Sequence, residues 1–166
     1  MVNKVELGYE VVLLSSDRIP EVEQLVVNTW SSPKVVVQLK LYDLRDVPAF
    51  IAVNTDNEII GHCHFKFFDD VCEIMLIESL RPGIGVGTAL VDAVINLARD
   101  KDCSKVHLQS SNDNTNALRF YQRRGFAMCA VGWNHMVYAR ELKPEIPLTG
   151  KDGITLLHSI EFELML

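Results

Sequence analysis

The stretch Arg81-Pro82-Gly83-Ile84-Gly85-Val86-Gly87-Thr88-Ala89-Leu90-Val91 sets three glycines on alternate positions and runs straight into an apolar helical pattern. Gly83, Gly85 and Gly87 can take backbone angles that a Cβ resists, so successive N–H groups can turn toward one point. The helix that follows offers unpaired first-turn N–H groups and the positive end of its dipole, and Thr88 adds a hydroxyl. Together these make an anion cradle suited to a pyrophosphate, with each interaction contributing about 0.3–1 kcal/mol when exposed. A P-loop is excluded: no lysine follows Gly87, and Gly150-Lys151 is followed by Asp152 with no glycine five positions before Gly150. A dinucleotide fingerprint matches poorly, because the spacing is Gly-x-Gly-x-Gly with no glycine at 88 or 90.

Outward from this loop the periodicity changes. Val86, Leu90, Val94 and Leu97 recur at helical spacing, while Val71 to Glu78 before the loop and Lys105 to Gln109 after the helix read as strands. That makes a βαβ crossover with parallel strands. Upstream, Ala49 to Val53 and Glu58 to Phe68 flank the turn formers Asn54-Thr55-Asp56-Asn57, and Asp69-Asp70 turns the chain into Val71, so three strands meander antiparallel. Tyr9 to Leu14 reads as a strand and Ile19 to Trp30 as a helix; Val35 to Val37 is extended, with no partner assigned. Downstream, Asn114 or a neighbour caps a second helix that ends at Gly125, and Phe126 begins another strand. Asn134 to Leu142 reads as a short helix, a loop follows with Pro144, Pro147, Gly150 and Gly153, and the period of two from Leu156 to Leu166 marks a last strand with one buried face. The fold class is α/β: a mixed central sheet, antiparallel in its N-terminal meander and parallel at the crossover, with helices on both faces.

With 166 residues, 48% of them hydrophobic and 23% charged, residues 1–166 are expected to form a single domain with a sizeable core. No run of eighteen apolar residues exists and the segment MVNKVELGYE lacks the pattern of a secretory signal, so the expected location is the cytoplasm, with no membrane partner. Cys63, Cys72, Cys103 and Cys129 form no Cys-x-x-Cys pair and sit in or beside apolar runs, which suits buried free thiols and no metal. A formal charge of −6 argues against nucleic acid and tilts toward a cationic small substrate.

Two segments carry a resemblance. Glu73 to Leu90 and Asn114 to Phe126, the latter Asn-x-x-Ala-x-x-x-Tyr-x-x-x-Gly-Phe at every position, resemble the acetyl-coenzyme A (acetyl-CoA) dependent N-acetyltransferase superfamily, the GNAT fold. In the first segment Gly85 and Gly87 match, and Pro82 stands where the superfamily has Gln or Arg. The resemblance implies acetyl-CoA as cofactor, with Gly83, Ile84, Gly85, Val86, Gly87 and Thr88 around the pyrophosphate. It places the backbone of Met75, Leu76 and Ile77 along the pantetheine arm, Asn114 at the pantetheine or phosphate, and Tyr121 near the thioester sulfur. The implied activity is acetyl transfer to a primary amine of a small molecule or peptide by direct attack in a ternary complex. The rival reading is a non-catalytic CoA-binding or partner-binding module on the same fold.

That chemistry asks for a base, since a lysine-like amine with a pKa near 10.4 costs about 4.6 kcal/mol to deprotonate at pH 7. Strand alternation sets Glu73, Met75 and Ile77 on one face and Ile74, Leu76 and Glu78 on the other, so Glu73 and Glu78 are not expected to share the site; Glu73 is the preferred catalytic carboxylate. The resemblance gives Tyr121 the role of partner to the departing thiolate and the Ile77 N–H that of oxyanion donor, while Gln109 stands where some members carry a glutamate. His62 and His64 share one face of a strand expected to be half exposed and read as structural. Arg119, Arg123 and Arg124 read equally as a solvated helix face or as contacts to the adenosine 3′-phosphate, and Trp133 and His135 as pocket lining. An exposed terminal strand would allow pairing across a two-fold axis, giving a homodimer.

Overall fold

The crossover read around the glycine loop is the centre of the sheet. In a computed structural model describing residues 8–166, nine strands form: β1 (Tyr9–Leu13), β2 (Lys34–Val37), β3 (Lys40–Asp43), β4 (Ala49–Asn54), β5 (Ile59–Phe68), β6 (Val71–Ser79), β7 (Lys105–Ser111), β8 (Ala127–Gly132) and β9 (Ser159–Met165). Four α-helices join them: α1 (Ile19–Trp30), α2 (Val86–Asp100), α3 (Thr115–Arg123) and α4 (His135–Leu142). Residues 1–7, which carry most of the N-terminal segment read above as lacking a signal, lie outside the described residues. The main sheet runs β1-β4-β5-β6-β7-β9-β8, antiparallel throughout except for the β6–β7 pair.

Helices cover both faces because the buried strand residues alternate. Cys63, Phe65, Cys72 and Ile74 point to one side and pack against Leu90, Val91 and Val94 of α2 and Tyr121 of α3. Ile51, Val53 and Met75 point to the other and meet Val22 and Val26 of α1. The Val35–Val37 segment, unassigned from sequence, pairs with β3 in a separate two-stranded ribbon and packs onto that second face. At Gly61 on β5 the helix α2 comes close: a Cβ there would sit 2.5 Å from Val86 Cγ1 and 3.0 Å from the Glu78 carbonyl oxygen. A glycine inside a strand marks such an approach.

Three expectations change. The last strand is not an edge: β9 lies between β7 and β8, so pairing of two copies through it has no free ladder to use, and β1 and β8 are the edges. Cys63, Cys72 and Cys103 are buried free thiols, but Cys129 is exposed because β8 is the outermost strand. The strict alternation along β6 fails at a β-bulge. His64 pairs with Leu76 and Phe65 with Ile74, so Met75 is the extra residue and both Met75 and Leu76 pack on the α1 face. The slip returns Glu78 to the face of Glu73: Glu78 accepts a hydrogen bond from Thr29 of α1 at 2.7 Å, and Glu73 faces the β2–β3 ribbon.

Candidate active site

The bulge sits where the parallel ladder ends. β6 pairs with β7 only from Val71–Lys105 to Ile74–Leu108, after which β6 runs on to Ser79 and β7 to Ser111. Each strand keeps its outer partner over that length: β6 stays on β5 as far as Ser79–Gly61, and β7 stays on β9 as far as Ser111–Ser159. The two strands therefore part without fraying, and main-chain groups of β6 beyond Ile74 face an open gap with no strand opposite.

The glycine loop borders this gap. Gly83 and Gly85 have φ of 86° and 85°, left-handed angles that a side chain resists, and residues 81–85 are exposed. Gly85 is the N-cap of α2, and its carbonyl accepts from Ala89 N–H. The amides of residues 83–88 have no backbone acceptor among the described residues, so they are free to donate at the positive end of a 15-residue helix. The Tyr9 hydroxyl donates to the Ile84 carbonyl at 3.4 Å.

At the head of α3, Asn114 Oδ1 accepts the Ala117 N–H at 3.4 Å and Lys151 Nζ at 3.0 Å, leaving the Nδ2 donors of its amide free. Tyr121 is 4% exposed, its ring packed against Phe126 and against Phe162 of β9, each with centroids 5.6 Å apart. Burial, with a smaller effect from the neighbouring Cys63 thiol on β5, holds the phenol pKa above its ordinary value. With its ring on a β9 residue and its hydroxyl near a β5 thiol, Tyr121 spans the line along which β6 and β7 separate. The hydroxyl has no hydrogen-bond partner among the described residues, yet it is not one of the sealed polar atoms.

Glu73 lies on the opposite face, 4% exposed, with Oε2 2.6 Å from His107 Nδ1; the other nitrogen of that ring is 3.1 Å from Glu161 Oε2. Burial lowers the His107 pKa, but the hydrogen bond to Glu73 and the charges of Glu73 and Glu161 outweigh it, and the net shift is upward. Glu73 Oε1 is buried with no partner. A cavity of about 450 Å³ opens beside this group, walled by Lys40, Tyr42, Asp69, Asp70, Glu73, Lys105 and His107. The β2–β3 turn closes over it, the Gln38 N–H donating to Gln109 Oε1 at 3.3 Å.

A profile of the acetyltransferase (GNAT) family matches residues 18–126, the span from the start of α1 to the end of the α3 motif. The chain belongs to that family. It is accordingly an acyltransferase of the GNAT type. It is 36% identical over 133 residues to the uncharacterized protein YdhI of Bacillus subtilis (strain 168), covering 80% of this chain and 83% of YdhI. The fold superposes on an IAA acetyltransferase from Bacillus cereus ATCC 14579 with a TM-score of 0.71 at 17% identity, covering 95% of this chain and 99% of the other. It also superposes on a GNAT family acetyltransferase from Elizabethkingia anophelis, solved with acetyl-CoA bound, with a TM-score of 0.70 at 18% identity and 96% and 99% coverage.

The remaining candidates from sequence fall elsewhere. His62 and His64 are buried, 0% and 2% exposed, contrary to the half-exposed strand expected, because α1 covers β5. His62 Nε2 lies 3.2 Å from Glu78. Arg124 is tied to Asp92 of α2, while Arg119 and Arg123 are exposed on α3. Trp133 is 71% exposed and stacks on His158, and His135 Nδ1 lies 2.9 Å from Ser159 Oγ. Sequence reasoning missed His107, Glu161 and Gly61. Gly61 carried a signal, a glycine within a β-rich run, whereas the two acidic partners of His107 come from separate strands.

Proposed function

We propose that this chain transfers an acetyl group from acetyl-CoA to a primary amine of a small molecule or peptide, by direct attack within a ternary complex. The carrying observation is the gap between β6 and β7, with free amides at its rim and with Tyr121 and, one pair before the strands part, Glu73 on opposite faces of the sheet beside it. The residues present fit the cofactor: a loop with two left-handed glycines and unpaired amides suits a pyrophosphate. A sheet edge without a neighbour suits the amide-bearing pantetheine arm. In this reading residues 83–88 hold the phosphates with the Thr88 hydroxyl, Pro82 contributing no N–H; the main chain of Met75, Leu76 and Ile77 binds the arm, and Asn114 donates to it through Nδ2. Acetyl-CoA supplies an acetyl carbon activated as a thioester.

The amine enters from the cavity on the α1 face, where the carboxylates of Asp69, Asp70 and Glu73 outnumber the ammonium groups of Lys40 and Lys105. Glu73 accepts a proton from the ammonium, its unpaired oxygen Oε1 turning from its buried position toward the cavity while Oε2 keeps its contact with His107. The nitrogen would then bond to the acetyl carbon as the C–S bond breaks, its second proton passing to the departing thiolate, so that the products are the amide, which keeps the third proton, and the free CoA thiol. An amide N–H of β6 at Ile77 would stabilise charge on the acyl oxygen. Tyr121, on the far face, hydrogen-bonds the departing sulfur. Because its pKa lies above that of a thiol, near 8.5, the phenol starts neutral and donates rather than ionises.

The cytoplasm is the compartment this reading expects, and among the described residues no helix is long and apolar enough to cross a membrane. A two-fold partner would meet the β8 edge, where Met128 and Val131 are exposed, and a sizing column tests that pairing. The activity is tested by thiol release from acetyl-CoA across a panel of cationic and neutral amines. Release that depends on a primary amine and favours cationic ones is expected. Stabilisation by acetyl-CoA, about 2.7 kcal/mol at 100 times its dissociation constant, without turnover on any amine would instead make the chain a CoA-binding module.

A further inference from the structure

His107 on β7, Glu161 on β9 and Cys129 on β8 come from three adjacent strands, and their ligand atoms all lie within 4.8 Å of one another. The arrangement depends on a second bulge. Ala127 to Met128 pair with Glu163 to Phe162, then Ala130 pairs with Glu161, so Cys129 is an extra residue and two residues of β8 oppose the single Glu161. The bulge keeps the thiol beside the carboxylate. His107 is buried and its orientation is fixed from behind by Glu73 at 2.6 Å on Nδ1, which leaves Nε2 facing Glu161 at 3.1 Å.

We propose that His107 Nε2, Cys129 Sγ and a Glu161 carboxylate oxygen form a binding site for one divalent transition ion of the zinc class. Bonds of about 2.0–2.3 Å in a tetrahedron set ligand atoms about 3.3–3.8 Å apart, so the three atoms, all within 4.8 Å of one another, would draw together by up to about an ångström on binding. Mixed N, S and O donors suit zinc, cobalt or nickel rather than magnesium or calcium, which take oxygen ligands. Coordination needs Nε2 and Sγ without their protons, so binding weakens as pH falls. Glu73 on Nδ1 is the carboxylate that orients a ligating histidine, and the exposed Cys129 leaves a fourth position open to water. The inference does not depend on acyl transfer.

The test uses the full chain, reduced and stripped by chelator, titrated with Co²⁺ and followed by absorption. A thiolate-to-cobalt charge-transfer band saturating at one ion per chain, displaced by Zn²⁺ and lost in Cys129→Ser, is expected. Affinity should fall about 10–100-fold in Glu73→Gln and at least as far in Glu161→Gln, with circular dichroism reporting that each variant is folded. No saturable band, or a band that survives Cys129→Ser, would overturn the assignment, as would affinities in both glutamine variants equal to that of the parent.

Discussion

Glu73 Oε2 and His107 Nδ1 meet at 2.6 Å across the parallel ladder, one pair before β6 and β7 separate. The hydrogen bond spends one carboxylate oxygen on holding the group still and leaves the other, Oε1, buried without a partner. A general base contributes about 10²–10⁴-fold. Glu73→Gln should therefore lower kcat by at least about a hundredfold while leaving KM for acetyl-CoA within a factor of two or three, because the cofactor loop lies on the other side of the gap. Steady-state kinetics across pH would check this; an unchanged kcat would remove Glu73 from the chemistry.

Tyr121 separates packing from chemistry, since its ring is in the core and its hydroxyl has no partner within the described residues. Tyr121→Phe should change stability by less than about 1 kcal/mol, there being no hydrogen bond to lose. A hydrogen bond to the charged leaving sulfur is worth about 1.5–3 kcal/mol, so kcat should drop roughly tenfold to a hundredfold. A large loss of Tm with kcat retained would make the phenol a core residue only.

Gly61 sets how closely α2 approaches the sheet. Gly61→Ala places a methyl group 2.5 Å from Val86 Cγ1 and 3.0 Å from the Glu78 carbonyl oxygen, so the first turn of α2 has to move. Overpacking of this kind costs about 1–3 kcal/mol, or about 2–4 °C in Tm for each kcal/mol. Since that turn carries the free amides, KM for acetyl-CoA should rise as well. Thermal melts and saturation kinetics on one preparation test both; an unaltered Tm would mean that the helix yields without strain.

His64 links stability to acid. Burial first, and the charge of His62 second, push its pKa down to about 3 from the ordinary 6.5. Between those values the unfolded chain binds a proton that the folded chain excludes, so stability is full above about pH 6.5 and is lost as pH falls toward 3. The loss amounts to at most a few kcal/mol. Urea unfolding at pH 7, 5.5 and 4.5 should show a steeper decline for the parent than for His64→Gln, and equal slopes would contradict the assignment.

Local rules reached far into this molecule. The glycine spacing specified the loop and the N-terminus of α2, turn formers and alternation specified the antiparallel meander, and the Asn114 to Phe126 motif placed α3 with its cap, because each is a matter of backbone angle or side-chain period within a few residues. Alternation stopped being a guide at Met75, where one extra residue returned Glu78 to the face of Glu73; a bulge answers to the pairing of β5, which the β6 sequence does not contain. The strand order that seats β9 between β7 and β8, and with it the meeting of Glu73, His107, Glu161 and Cys129, was likewise decided only by tertiary structure. Contacts between residues up to 54 positions apart come from how strands pack, not from the pattern within any one of them.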